Sequence, residues 1–280
     1  MIRALNKPYY IFRPSQLVRR LAGRAPENIK LPWGARISIN PNEDIGHALA
    51  TTGVYDLTVS EVLWRLTEPD DVALDVGANI GYMSALLSAR AARVVAFEPH
   101  PHLFERLSAN VKGWKGNVEV HQLALSDESG EESLCIPDGF ERNEGVAFVS
   151  HHAAVGRYIK VRAVRLADLN IDKVGIAKVD VEGRELNVLR GAGRLIGQVR
   201  DIVFEEHGTH PTPATLYLQE RGYHLFYLGR KMFGPTLTPV QHTPRTRDCY
   251  APQNCLATLD AGRAQERMKP RGWRVLKAAS

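Results

Sequence analysis

The chain predicts an α/β fold, a mainly parallel sheet covered by helices on both faces. Two observations carry the expectation. Residues 72–81 read VALDVGANIG, an apolar run that ends in an acid and then turns on glycines. Residues 94–101 read VVAFEPHP, a second apolar run that also releases an acid. Such runs read as strands buried on both faces, and the spacing of Asp75 and Glu98 suits one strand–helix–strand unit. In open parallel sheets ligands sit in the crevice beyond the strand C-terminal ends, where both carboxylates fall.

The remaining elements follow the same alternation. Strands are expected over Val72–Val76, Val94–Phe97, Val118–Leu123, Gly175–Val181 and Asp201–Glu205. Helices are expected over Ile80–Ala89, Pro101–Lys112, Glu185–Leu195 and Ala214–Arg221, with Pro101 at a favourable first-turn position. Upstream, Arg36–Asn40 alternates as a strand and PNEDIGHALA suggests a capped helical turn. Residues 58–66 place Val59, Val62, Leu63 and Leu66 on one helical face, and this part is expected to cover the crevice. Residues 126–165 break the rhythm with Gly130, Pro137, Gly139 and Gly145, and read as a β-hairpin excursion. Tyr223–Leu228 and Asn254–Leu259 are expected to pair antiparallel, and 230–250 to form a surface connection.

The 280 residues, 44% hydrophobic and 24% charged, suffice for one domain over 36–261, flanked by basic arms at 1–35 and 262–280. Residues 1–30 carry a net charge of +6 and residues 262–280 one of +5, so the whole-chain +5 leaves the body at −6. The arms are expected as solvated tails, in weak contact at most with an anionic membrane surface. An acidic body argues against a phosphate-backbone partner, so no nucleic acid is expected. Cys135, Cys249 and Cys255 form neither a disulfide framework nor a zinc pattern, and read as free thiols in a reducing compartment. No apolar run resembles a secretory segment or approaches the length of a membrane span, so a cytoplasmic protein is expected.

The chemistry concentrates at the first turn. Gly77 and Gly81 flank Ala78-Asn79-Ile80, and glycine lets the backbone approach a ligand before the helix N-terminus. G-x-x-x-G alone is weak; Asp75 and Glu98 sharpen it, because buried carboxylates need donors such as ribose hydroxyls or an ammonium. Nicotinamide enzymes and S-adenosylmethionine (SAM) methyltransferases both use such acids. The dinucleotide fingerprint is G-x-G-x-x-G, whereas this turn reads GANIG, and no basic loop suits a diphosphate. SAM has no phosphate and carries an ammonium, which favours the methyltransferase.

In this order, DVGANIGYMS, FEPHPHLFERLSANV, LALSDESG, IAKVDVEGRELNVLRGA and IVFEEHG resemble the FkbM family of SAM-dependent methyltransferases, over roughly residues 45–230. The resemblance implies a class I methyltransferase (Rossmann-like) fold, a seven-stranded sheet whose last strand is antiparallel, and methyl transfer to a hydroxyl of a small molecule or glycan, of sugar or polyketide type. It implies that Asp75, Gly77, Asn79 and Gly81 bind the methionine portion and Glu98 the ribose. Gln122, Leu123 and Ala124 would meet the adenine edge, with Asp180 also reaching the cofactor. Tyr55 and Asp56 stand where the family shows an aromatic residue and Glu, so Asp56 is a departure.

KVDVEGRE (178–185) follows a strand and opens a helix, with Lys178, Asp180 and Glu182 on one face by period two. An alcohol acceptor gains from a base. Asp180 is the first candidate, Glu182 a contributor and His207 the alternative; Lys178 and Asp180 also suit a structural ion pair. Asp180, Glu206 and His207 offer donors for a divalent ion, but nothing in their spacing demands one, and no metal is expected. Two further readings are a nucleic-acid methyltransferase and a SAM-binding module without catalysis. The first lacks an Asn/Asp-Pro-Pro-aromatic motif, and the intact acids argue against the second.

Overall fold

The computed structural model describes residues 26–137, 148–149, 156–206, 211–240 and 253–278. The N-terminal segment expected as a basic arm lies outside them as far as residue 25, as do His151, His152, His207 and Cys249.

The centre is an eight-stranded sheet. Its members are β3 (Val72–Val76), β4 (Arg93–Phe97), β5 (Val118–His121), β10 (Val174–Val179), β11 (Asp201–Glu206), β12 (His224–Lys231), β13 (Gly234–Pro239) and β14 (Gln253–Thr258), in the order β13-β12-β14-β11-β10-β3-β4-β5. The run β11-β10-β3-β4-β5 is parallel, and β14 enters antiparallel to both β11 and β12. These are the seven strands the resemblance implies. The eighth, β13, forms from residues expected as a surface connection: Gly234–Pro239 pairs antiparallel with β12 and closes the edge.

Helices cover both faces. α1 (Asp44–Thr52), α2 (Leu57–Leu66), α3 (Tyr82–Arg90) and α4 (Pro101–Val111) precede β5, and α5 (Glu185–Gly191) and α6 (Pro213–Gln219) follow β10 and β11. Alternation along the strands assigns the two cores. Ala73, Val94, Ile176 and Val203 join Leu63, Leu66 and Leu86 on one face, while Leu74, Val95, Ala177 and Phe204 join Val188, Leu189 and Leu218 on the other. The N-terminal cover adds the hairpin of β1 (Asn28–Lys30) and β2 (Arg36–Ser38). α1 begins on Glu43, whose carboxylate accepts from the backbone N–H groups of Ile45 and Gly46.

Two expectations change. The excursion is a separate four-stranded sheet, ordered β6 (Ala124–Leu125), β9 (Arg157–Val164), β7 (Gly130–Ile136) and β8 (Phe148–Val149). Its β7–β9 pairing is the expected hairpin-like antiparallel ladder, and β6 adds in parallel. The boundary at 261/262 falls inside α7 (Ala261–Arg267), and the segment after it belongs to the body. Trp273, Val275 and Leu276 are buried in the core under α2. The fully buried Glu61–Arg65 pair (2.6 Å) ties them in. Arg65 donates to the carbonyls of Arg267, Lys269 and Gly272, and Glu61 accepts from the backbone N–H groups of Arg274 and Val275. Among the described residues no helix is long and apolar enough to cross a membrane.

Candidate active site

Register brings the strand ends level. Val76 pairs with Phe97 and Val179, Phe97 with His121, and Val179 with Phe204. The next residues, Gly77, Glu98, Asp180 and Glu205, therefore emerge along one edge of the sheet. They line a cavity of about 350 Å³, with Leu123, Ala124, Lys178 and Glu182 also in its wall.

The glycine turn is built for close approach. Gly77 has φ +77°, and a Cβ there would stand 1.9 Å from the carbonyl oxygen of Asp180, so no larger residue fits. The turn's N–H groups are all engaged within the chain. Those of Gly77 and Ala78 donate to Phe97 O, that of Asn79 to Glu98 Oε2 (2.8 Å), that of Ile80 to Asn79 Oδ1 (2.6 Å) and that of Gly81 to Ala78 O. The turn thus offers no bare amide nest for a diphosphate, which supports the exclusion of a dinucleotide. Gly81 is a packing residue: it does not line the cavity, and a Cβ would press on Leu107 and Trp114.

Glu98 holds its place through both oxygens, accepting from Asn79 N–H and from His100 N–H (2.9 Å). It is 5% exposed, and burial pushes its carboxyl up to about 7 against those two hydrogen bonds. Each oxygen keeps a further lone pair for a hydroxyl donor. Phe97, Pro99, Leu103, Leu123 and Leu125 supply apolar wall beside it. A buried acceptor next to an apolar surface fits a ribose joined to a flat base.

Asp75 departs from expectation, because it does not line the cavity. It shares the β3 face with Ala73, under α3, where it is fully buried. There it accepts from Ser84 Oγ at 2.5 Å and faces Lys178 Nζ at 3.7 Å. Burial raises its carboxyl despite the nearby Lys178 ammonium. Lys178 is its register partner across β3–β10. The lysine also donates to Gly77 O (2.8 Å) and stands 3.3 Å from Asp180 Oδ2. Burial alone would lower the Lys178 ammonium, but Asp180 and Asp75 outweigh it and hold it protonated. Asp75 therefore anchors the lysine that joins the glycine turn to Asp180.

The acids assemble on one side. Oxygens of Asp180, Glu182 and Glu205 lie within 4.8 Å of one another. Glu205, which sequence reasoning missed, belongs there by period two: Val203 pairs with Lys178, so Glu205 stands level with Asp180. Glu206 points to the opposite face, where Thr212 Oγ1 and Cys255 Sγ donate to it. The grouping of Asp180 with Glu206 is corrected accordingly. Burial, then the charges of Asp180 and Glu182, push Glu205 up to about 8. Burial and Asp180 likewise push Glu182 up to about 7.

The cover contributes Tyr55 and Asp56. Asp56 caps α2 by accepting from Val59 N–H (3.0 Å) and also accepts from Asn254 Nδ2 (2.9 Å), so its carboxylate braces the wall. Burial and the charge of Asp180 push the Tyr55 hydroxyl up to about 12. Asp56, Asn79 and Glu182 line the cavity with positive φ, a conformation that costs roughly 1–3 kcal/mol for such residues and gathers at functional sites. Glu132 and Arg184, 3.5 Å apart, close the side next to the small sheet. Gln122 is exposed and does not line the cavity, whereas Leu123 and Ala124 do.

Comparison with known proteins identifies the family. The Methyltransferase FkbM domain matches residues 75–225. The hexuronic acid methyltransferase AglP of Haloferax volcanii is 32% identical over 193 residues, covering 67% of this chain and 77% of its own. The 31-O-demethyl-FK506 methyltransferase FkbM of Streptomyces tacrolimicus is 31% identical over 172 residues, covering 50% of this chain and 66% of its own. A solved methyltransferase FkbM from Methylobacillus flagellatus aligns at 15% identity and TM-score 0.43, over 79% of this chain and 61% of that one. The chain belongs to the FkbM family of SAM-dependent methyltransferases.

Proposed function

We propose that the protein methylates a hydroxyl of a small molecule or glycan, with SAM held between the glycine turn and Glu98. The observation that carries this reading is the division of one cavity into two halves. A ribose-type acceptor sits in an apolar wall, and three carboxylates face it from the neighbouring strand ends. When bound, SAM supplies an electrophilic methyl group. The backbone of Gly77–Asn79, the carboxylate of Glu98 and the Leu123–Ala124 edge hold and orient it, while Asp180, Glu182 and Glu205 receive the acceptor hydroxyl. Positioning accounts for much of the rate in such a displacement, and proton removal for a further 10²–10⁴-fold or so.

Relatives that act on a hexuronic acid and on demethyl-FK506 support a hydroxylated acceptor. A cavity walled by Asp56, Glu98, Glu132, Asp180, Glu182 and Glu205, against Lys178 and Arg184, suits hydroxyl donors and disfavours a nucleic-acid phosphate. Buried free Cys135 and Cys255 support a cytoplasmic setting.

The test is methyl transfer from labelled SAM to a panel of sugars and polyketide alcohols, run beside amines and RNA. Label appearing in a base-stable methyl ether supports the reading. Transfer to nitrogen or RNA alone contradicts it.

A further inference from the structure

We infer that the tip of the β12–β13 hairpin, with residues 269–271 beside it, is a docking surface for an anionic membrane. This surface is separate from the methyl-transfer site, since none of its residues lines the cavity. Lys231 and Gly234 are register partners, so Met232 and Phe233 form a two-residue turn. Such turns ordinarily draw on Gly, Asn and Asp, which accept the turn's backbone angles or bond to it locally. Here the pair is apolar. Met232 is 37% exposed and Phe233 63%, the highest value for a large hydrophobic side chain among the described residues. The turn is anchored through its carbonyls: Trp273 Nε1 donates to Met232 O at 2.8 Å, and the Gly272 N–H to Phe233 O at 3.0 Å. The backbone is therefore fixed while the side chains stand in water, and local turn chemistry does not account for their being apolar.

Cations collar this apolar point. Arg230 and Lys231 are consecutive on β12, so they leave opposite faces of the hairpin, and both are exposed. The anchoring bonds bring Lys269, Pro270 and Arg271 alongside, all three exposed; a Cβ on Gly234 would stand 3.8 Å from Pro270 Cα. Glu266 pairs with Lys269 and with Arg271 (3.1 Å), so four cations and this acid leave the rim at +3. Residues 31–280 together carry −1, so the rim is a local concentration of charge and not the average of the chain. An anionic bilayer matches both parts of the surface. Its potential draws Lys and Arg, each strengthening binding roughly fivefold at close range. Its headgroup boundary takes up the apolar point as it takes up the apolar face of an interfacial helix. The convex shape separates the tip from a nucleic-acid platform, where bases stack in a groove that tracks the backbone.

The experiment is co-sedimentation of the full chain with vesicles of phosphatidylcholine, alone or mixed with phosphatidylserine, at low and raised salt. Wild type is compared with the double variants Met232→Ser/Phe233→Ser and Arg230→Ser/Lys231→Ser, with circular dichroism melts as the check on folding. Wild type should bind the phosphatidylserine vesicles at least about tenfold more tightly than phosphatidylcholine alone, and less tightly as salt rises. Each double variant should bind them at least about tenfold more weakly than wild type. Phe233→Trp gives a second reading that leaves the tip apolar. Its emission beyond that of the four native tryptophans should shift to the blue on the vesicles and be quenched by brominated lipid. Wild type that binds no anionic vesicle overturns the inference. So does either double variant, folded, staying within about threefold of wild type, or a Phe233→Trp signal that brominated lipid leaves unchanged. Tip-dependent binding of RNA in place of vesicles overturns it as well, as does a wild-type dimer that Met232→Ser/Phe233→Ser dissociates in sedimentation.

Discussion

At Glu98 the chain keeps a carboxylate almost wholly out of water, held by two backbone N–H groups and pushed up to about 7 by burial. Ribose hydroxyls donate to the ionised form, so binding and ionisation are linked. S-adenosylhomocysteine affinity should be flat above about pH 8 and weaken by up to tenfold per pH unit below about 7; a calorimetric pH series checks this. At Gly77 the close approach to Asp180 O leaves no room for a methyl group. Gly77→Ala should abolish S-adenosylhomocysteine binding even where the fold survives, as circular dichroism beside a binding titration would show. These two positions were legible because the strand–turn–acid pattern names them. Asp75 was legible as important, yet its depth was not: it lies on the same face as Lys178 but short of the strand end, fully buried under α3, with Lys178 between it and Asp180. Glu205 was missed because adjacent acids, Glu205 and Glu206, compete at the end of one strand. Only the register against Lys178 says which one faces the site.

Among the elements, apolar periodicity sufficed for the central strands and for the helices between them, since each buries a face that a pattern of 2 or 3.6 reveals. It did not suffice for β13, whose GPTLTP owes its strand to pairing with β12 and not to propensity. Nor did it suffice for the C-terminal segment. Residues 262–280 look like a charged tail by composition, but Trp273 is fully buried and donates from Nε1 to Met232 O. The carbonyls of this segment satisfy Arg65. Truncation after residue 260 would leave the Glu61–Arg65 pair without those partners and open the core under α2. Arg65→Ala should cost about 3–5 kcal/mol, the scale of a buried charge stripped of its partner, measured by urea denaturation. Trp273→Ala should cost a similar 3–5 kcal/mol or so by cavity formation.

Across the whole molecule, one sheet edge concentrates carboxyls held above their ordinary range. Glu98, Glu182 and Glu206 stand at about 7 and Glu205 at about 8, each raised first by burial. In the unfolded chain these groups ionise near 4.5, so between that pH and their folded values the native state binds more protons. Their contribution to stability is complete at low pH and is lost as pH rises through 7 to 8. Below about 6.5, His100 opposes the trend, because burial lowers its imidazole to about 4 and the unfolded chain then takes up the proton. The ligand-free melting temperature should therefore fall between pH 6.5 and 8.5, as calorimetry across that window would record. This tension is what a site for charged chemistry costs the fold.

The most direct measurement is a calorimetric titration of S-adenosylhomocysteine, with NAD as control, into wild type and Glu98→Ala. The account predicts saturable binding to wild type, at least tenfold weaker binding to the variant, and no heat from NAD. Equal affinity in both proteins, or binding of NAD alone, would contradict the assignment of the strand-end cavity to SAM.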